Sequence, residues 1–174
     1  MRSLPVNAKI VFAPDRNLGN YIQSVTGRDM VVWDGACHVR EFSLEKIIEL
    51  KKQYPEAKVL AHPECKKPVL LVADYVGSTA ALLNYATQSD ADTFIVVTEP
   101  GILHQMAKDE SVETFHSGSP SDSTCGCNDC SYMKLVTLDK MYAALRDETP
   151  EVVIEESIRR RAERSIRNML AAKR

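Results

Sequence analysis

Ala57-Lys58-Val59-Leu60-Ala61-His62-Pro63-Glu64 is the stretch on which the fold turns. Lys58 to Ala61 is short, apolar and bounded by breakers, which reads as a buried strand. His62 and Glu64 then fall at its carboxyl end, with Pro63 stiffening the backbone between them. The pattern has a partner earlier in the chain, Ala8-Lys9-Ile10-Val11-Phe12-Ala13-Pro14-Asp15. Each is a buried strand, then a proline, then a carboxylate. Two related α/β units in tandem produce such a repeat. In open α/β sheets ligands gather beyond the carboxyl ends of the strands, where this reading puts Asp15 and Glu64.

Outward from that stretch the same texture continues. Ile10-Val11-Phe12, Met30-Val31-Val32-Trp33 and Phe94-Ile95-Val96-Val97 also read as buried strands. Ser43 caps a helix whose apolar face is Leu44, Ile47 and Ile48, ending near Tyr54-Pro55. Ala80 to Gln88 is a second helix, and Pro100 opens a third with Ile102, Leu103 and Met106 inward. Strands alternating with helices argue for parallel, doubly wound α/β layers. From Ser117 to Asp129 the residues are those of a loop. Met133 to Arg146 then reads as helix, with Leu135, Leu138, Met141, Tyr142 and Leu145 on one face. A last helix, about Glu155 to Ala172, is expected to bury Ile158, Ala162, Ile166, Met169 and Leu170.

A chain of 174 residues, 44% of them hydrophobic, is long and apolar enough to bury a core. A net charge of -2 gives no electrostatic reason to expect nucleic acid or an anionic membrane as partner. The run Arg159, Arg160, Arg161 lies among Glu155, Glu156 and Glu163 and reads as a solvated helix face. No apolar stretch is long enough to span a bilayer. The opening residues carry no apolar signal region, so the expected compartment is the cytoplasm. Five cysteines is an odd count, and three crowd into one loop, which favours metal or redox chemistry over a disulfide framework.

That loop is Thr124-Cys125-Gly126-Cys127-Asn128-Asp129-Cys130. The Cys127-x-x-Cys130 spacing serves zinc sites, thiol redox pairs and iron–sulfur clusters alike. Cys37 lies just past a strand end on the ligand-bearing rim, although lone cysteines are usually small buried hydrophobes. Cys65 carries that plainer reading more strongly. His62 and Glu64 place an imidazole and a carboxylate at one strand end. Val76-Gly77-Ser78-Thr79 leads into a helix whose first amides and two hydroxyls suit a carboxylate or phosphate. An ordinary N-cap by Ser78 or Thr79 is the commoner use of such residues.

In order along the chain, these segments resemble the quinolinate synthase A family. The matching stretches are Ala13-Pro14-Asp15-Arg16-Asn17-Leu18-Gly19, Trp33-Asp34-Gly35-Ala36-Cys37, His62-Pro63-Glu64, Val76-Gly77-Ser78-Thr79, Thr98-Glu99-Pro100-Gly101-Ile102, and Cys127-x-x-Cys130 with Met133. Arg161-Ala162 and Asn168-Met169-Leu170 fit the family's closing helix. Each motif alone is unspecific, but six in the right order are not.

The resemblance implies condensation of iminoaspartate with dihydroxyacetone phosphate to quinolinate, a step of NAD biosynthesis. It also implies two of three pseudo-symmetric α/β/α Rossmann-like layers with parallel sheets. On this reading residues 1–55 are part of the middle layer and carry Cys37. Residues 56–116 carry the His-Pro-Glu and Gly-Ser-Thr motifs, and 117–174 hold the cysteine loop and closing helices. Cys37 and Cys130 become two of three ligands to a [4Fe-4S] cluster, with a redox role for the Cys127 and Cys130 pair as a competitor. His62, Pro63, Glu64, Ser78 and Thr79 line the substrate pocket, His62 binding a carboxylate and Glu64 transferring protons. The family's N-terminal portion, with the third cysteine, is expected to be missing, leaving this chain inactive alone. One departure stands out: the family's histidine three residues after the middle cysteine is replaced by Arg40, while His38 lies one residue after it. The reading from a different class is a non-catalytic zinc or iron–sulfur binding module.

Overall fold

The computed structural model describes residues 3–108, 114–117 and 129–172. They form two compact units, Lys9–Ser131 and Met1–Ala8 with Tyr132–Arg174.

Among the described residues the larger unit holds two open sheets in which every pairing is parallel. In the first, β1 (Val11–Phe12) pairs with β2 (Val31–Val32). Helix α1 (Arg16–Thr26) connects them. The Asp15 side chain caps its first turn, and Gly27 ends it at φ 65°, a left-handed angle that suits glycine. Gly19 lets this helix lie against the sheet, because a Cβ there would sit 2.7 Å from a methyl of Val32. On the opposite face Val11 and Val31 lie in register and, with Trp33, remain exposed.

The second sheet has the order β4-β3-β5-β6. Its strands are β3 (Lys58–Ala61), β4 (Tyr75–Val76), β5 (Thr93–Val97) and β6 (Thr114–Ser117). Helices α2 (Leu44–Gln53), α3 (Lys67–Leu71), α4 (Thr79–Gln88) and α5 (Gly101–Met106) pack around it. Alternate residues of β3 and β5 face opposite sides. Val59, Ala61, Ile95 and Val97 meet Ile47 of α2 and Val69 of α3. Leu60, Phe94 and Val96 meet Leu82 and Ala86 of α4 and Met106 of α5. Both faces of the central strands are therefore buried, which is why their sequences run apolar instead of alternating.

Strand order makes the ligand edge. From β3 the chain steps to β4 on one side, then crosses back to β5 on the other. Helix α3 leaves β3 on one face and α5 leaves β5 on the other. The topology thus reverses between β3 and β5, and in open α/β sheets the carboxyl ends at such a reversal are where ligands bind. The doubly wound α/β class expected from the sequence is the class observed.

In the smaller unit the sequence reading needs two corrections. The helix read over Met133 to Arg146 is a 3-10 turn at Met133–Leu135, a break, then α6 (Leu138–Asp147). Thr137 causes the break: it is extended, and its side chain accepts from the Lys140 amide as an N-cap. The closing helix, α7 (Glu156–Ala171), forms as expected. Its apolar stripe is not buried, however; Ile158, Ile166, Met169 and Leu170 are all more than half exposed. Leu138, Met141, Tyr142 and Leu145 of α6 are likewise exposed. Amphipathic spacing made the helices, but among the described residues nothing covers these faces. The basic run behaves as read, with Arg159 pairing with Glu156 and Glu163, and Arg160 with Glu156. Such exposed pairs contribute little to stability.

Candidate active site

Charged and polar side chains meet at the carboxyl ends of β3 and β5. His62 follows β3 directly, its amide extending the ladder to the Val97 carbonyl at 3.2 Å. Glu64 comes next but one, and its carboxylate accepts from Nε of Arg40 at 3.3 Å. Arg40 ends a 3-10 turn (His38–Arg40) after β2, and its Nη1 also donates to Oγ1 of Thr98. Thr98 is buried at the end of β5. Three segments distant in sequence therefore meet at one corner. A further tie runs from Nδ2 of Asn17 in α1 to the Glu64 carbonyl, at 3.0 Å.

His62 is uncharged at neutral pH. Burial, reinforced by the Arg40 guanidinium and only partly offset by Asp15, lowers its imidazole from 6.5 to about 4. Its Nδ1 accepts from the Glu64 amide at 3.3 Å, so the ring proton belongs on Nε2. The approach of Nδ1 to the Glu64 carboxylate, at 3.5 Å, is then not an ion pair. The imidazole offers one N–H to a ligand and no positive charge.

This has a consequence for stability. The folded chain holds His62 neutral where an unfolded chain would bind a proton, so stability is complete above about pH 6.5 and falls as pH drops towards 4. The full displacement corresponds to roughly 3 kcal/mol, reduced by the solvent that still reaches the ring. In urea denaturation at pH 7 and pH 4.5, His62→Gln is expected to lose less stability than the unaltered chain. Equal losses would contradict a neutral, desolvated His62.

Asp15, at the end of β1, is also buried, but its oxygens are spent on the fold. One accepts from the Leu18 amide at 2.8 Å and the other from the Cys37 amide at 2.9 Å. The repeat's two carboxylates thus have different partners: Asp15 fixes the segment bearing Cys37, while Glu64 pairs with Arg40. Ser78 and Thr79 stand at the carboxyl end of neighbouring β4, where the Gly77 amide donates to the Ala61 carbonyl at 3.1 Å. Ser78 is the N-cap of α4, accepting from the Ala81 amide at 3.3 Å, and Thr79 is half-buried in the first turn. The anion-suited end of α4 is one strand away from His62 and Glu64.

The cysteines divide. Cys37 and Cys130 are half-buried, and both are soft thiol donors of the kind that ligates iron. Cys65 does not fit a ligand role: it is fully buried, its thiol donates to the Val97 carbonyl, and burial pushes it up to about 12. It is a core residue. Cys125 and Cys127, and with them the proposed redox pair, lie outside the described residues. Among the described residues no three His, Cys, Asp or Glu side chains are grouped to hold a metal ion. Cys37 and Cys130 have the donor chemistry of iron ligands, but the described residues alone complete no metal site.

The residue that reading the sequence undervalued is Arg40. It was visible only as a departure from a family pattern, because its partners lie 24 and 58 residues away.

An open parallel sheet wound on both faces, with ionisable groups collected where its strand order reverses, defines a doubly wound α/β protein with a candidate site at the switch point. Sequence comparison narrows this class. The pattern of the Quinolinate synthetase A protein family matches residues 1–171, and the chain belongs to that family. It is 53% identical over 171 residues to the quinolinate synthase of Microcystis aeruginosa, covering 98% of this chain and 53% of the relative. The Thermosynechococcus vestitus quinolinate synthase is 51% identical over 171 residues, covering 98% and 54%. That of Chloroherpeton thalassium is 46% identical over 171 residues, covering 98% and 53%. The chain spans about half the length of the curated relatives it matches. Among the described residues, no helix is long and apolar enough to cross a membrane.

Proposed function

We propose that these 174 residues form the part of a cytoplasmic quinolinate synthase that carries the His-Pro-Glu corner. The reaction would condense iminoaspartate with dihydroxyacetone phosphate to give quinolinate for NAD biosynthesis. Family membership supports the reading, and it favours a synthase over a zinc or iron–sulfur binding module. The observation that carries it is the corner itself: Glu64 fixed by Arg40 at the switch point, beside an uncharged His62.

Each group has work suited to its setting. Glu64 is the proton carrier, held where it can reach a bound substrate. His62 donates its Nε2 hydrogen to a substrate carboxylate. Ser78 and Thr79, with the first amides of α4, take a second carboxylate or the phosphate. Holding both substrates against one strand edge supplies the orientation that a bimolecular condensation otherwise lacks. Cys37 and Cys130 would supply two thiolates to a [4Fe-4S] cluster, the third coming from outside these residues. Such a cluster, when bound, supplies a Lewis-acidic iron with an open position. About half of the relatives' length is not represented here, so the 174 residues alone are expected to be inactive.

The thiols provide a direct test. After loading with iron and sulfide in the presence of the remaining half of a relative, the chain should show cluster absorption in the visible range. Cys37→Ser and Cys130→Ser should each abolish it, while Cys65→Ser should not. Retention of the absorption in both of the first two variants would remove Cys37 and Cys130 from the site.

A further inference from the structure

We propose that Arg40 is a positioning residue that clamps the Glu64 carboxylate against the end of β5 and so sets the direction from which Glu64 meets a substrate. The inference rests on the reading of Glu64 as proton carrier. Its basis is a bridge of two bonds from one guanidinium: Nε to the Glu64 carboxylate at 3.3 Å and Nη1 to the Thr98 hydroxyl. The Arg40 side chain is only 12% exposed, and the Glu64 side chain 22%, so water competes weakly for either. Thr98 is itself buried at the end of a central strand, which makes it a rigid anchor. Arg40 stands in turn on a short segment: its amide donates to the Cys37 carbonyl at 3.1 Å, and its carbonyl accepts from Phe42 at 3.1 Å.

The bridge needs the shape of arginine as well as its charge. A guanidinium presents its N–H groups in a fixed planar fork and can hold two acceptors at a set angle. An ammonium is a point charge on a flexible stem. Lysine at position 40 would keep the charge near Glu64 while losing the simultaneous hold on Thr98. Arg40 also acts on His62. The charged and titratable groups around that imidazole are Arg40, Asp15 from the end of β1, and Glu64 and Cys65 from its own strand end. Arg40 adds to the burial that keeps His62 a neutral hydrogen-bond donor.

Two readouts test the clamp. The first needs no catalysis: the His62 imidazole is titrated by NMR in the 174-residue chain, its signal assigned with His62→Gln. Arg40→Met should raise the midpoint by about one unit, as loss of a nearby cation does. Arg40→Lys should leave it near 4. Should Arg40→Met fail to fold, Arg40→Gln takes its place. The second readout is kinetic, in the enzyme completed by the remaining half of a relative. Arg40→Lys should lower kcat by about 100-fold with KM within about threefold, since orientation and not binding is lost. An unmoved His62 midpoint in Arg40→Met, or an Arg40→Lys enzyme with unreduced kcat, overturns the proposal. If the unaltered completed enzyme makes no quinolinate, the synthase reading fails, and the titration still decides whether Arg40 sits where the clamp requires.

Discussion

Glu64→Gln lowers kcat by about 10²- to 10⁴-fold in the completed enzyme, the range that a positioned proton carrier contributes. The substitution is chosen to separate chemistry from architecture. Glutamine has nearly the same shape, and its side-chain carbonyl can still accept from Nε of Arg40, so the bridge to Thr98 survives. What it cannot do is take up and release a proton. KM should change little. Glu64→Ala is a worse probe. It leaves the Arg40 guanidinium largely buried with no carboxylate beside it, and breaking a buried pair in this way costs about 3–5 kcal/mol. That figure is an upper bound, because Glu64 keeps some solvent contact. A kcat for Glu64→Gln within about threefold of the unaltered enzyme would assign proton transfer elsewhere.

Phe94→Ala should cost about 3–5 kcal/mol of unfolding free energy, the usual loss when a buried aromatic side chain is deleted. Phe94 is completely buried in the cluster formed by Leu60, Leu82, Ala86, Val96 and Met106. It joins β5, the second central strand, to the helices on one face. Domains of this kind have about 5–15 kcal/mol in total, so the variant sits near the edge of unfolding at 37 °C. Since Thr98 directly follows β5, the loss should also loosen the anchor of Arg40. Urea denaturation followed by far-UV circular dichroism measures the effect. A loss below about 1 kcal/mol would mean that this face of the sheet is not packed as described.

These two variants probe features of unequal legibility. β3 and β5 could be read directly, because strands buried on both faces have continuous apolar sequences that little else produces. Ser43 and Ser78 announced α2 and α4 through their side chains. Helix α1 was harder to see: Arg16-Asn17-Leu18-Gly19-Asn20 is polar and contains a mid-helix glycine, which argues against helix. Its signals were the Asp15 cap and Gly27 at the other end. β4 is two residues long and carries no period. In α7 the error was of a different kind, since periodicity specifies which residues share a face and not whether anything covers it. The candidate site follows the same rule. His62 and Glu64 could be placed because the strand carrying them was clear. Arg40 could not, because its role exists only after β2, β3 and β5 have come together.

The most direct test is quinolinate formation from iminoaspartate and dihydroxyacetone phosphate, assayed with the 174-residue chain alone and with the remaining half of a relative supplied, both after iron and sulfide loading. Product from the combination and none from either part is the expected result. Turnover by these residues unaided, or none from a combination shown to bind its cluster, would contradict the account.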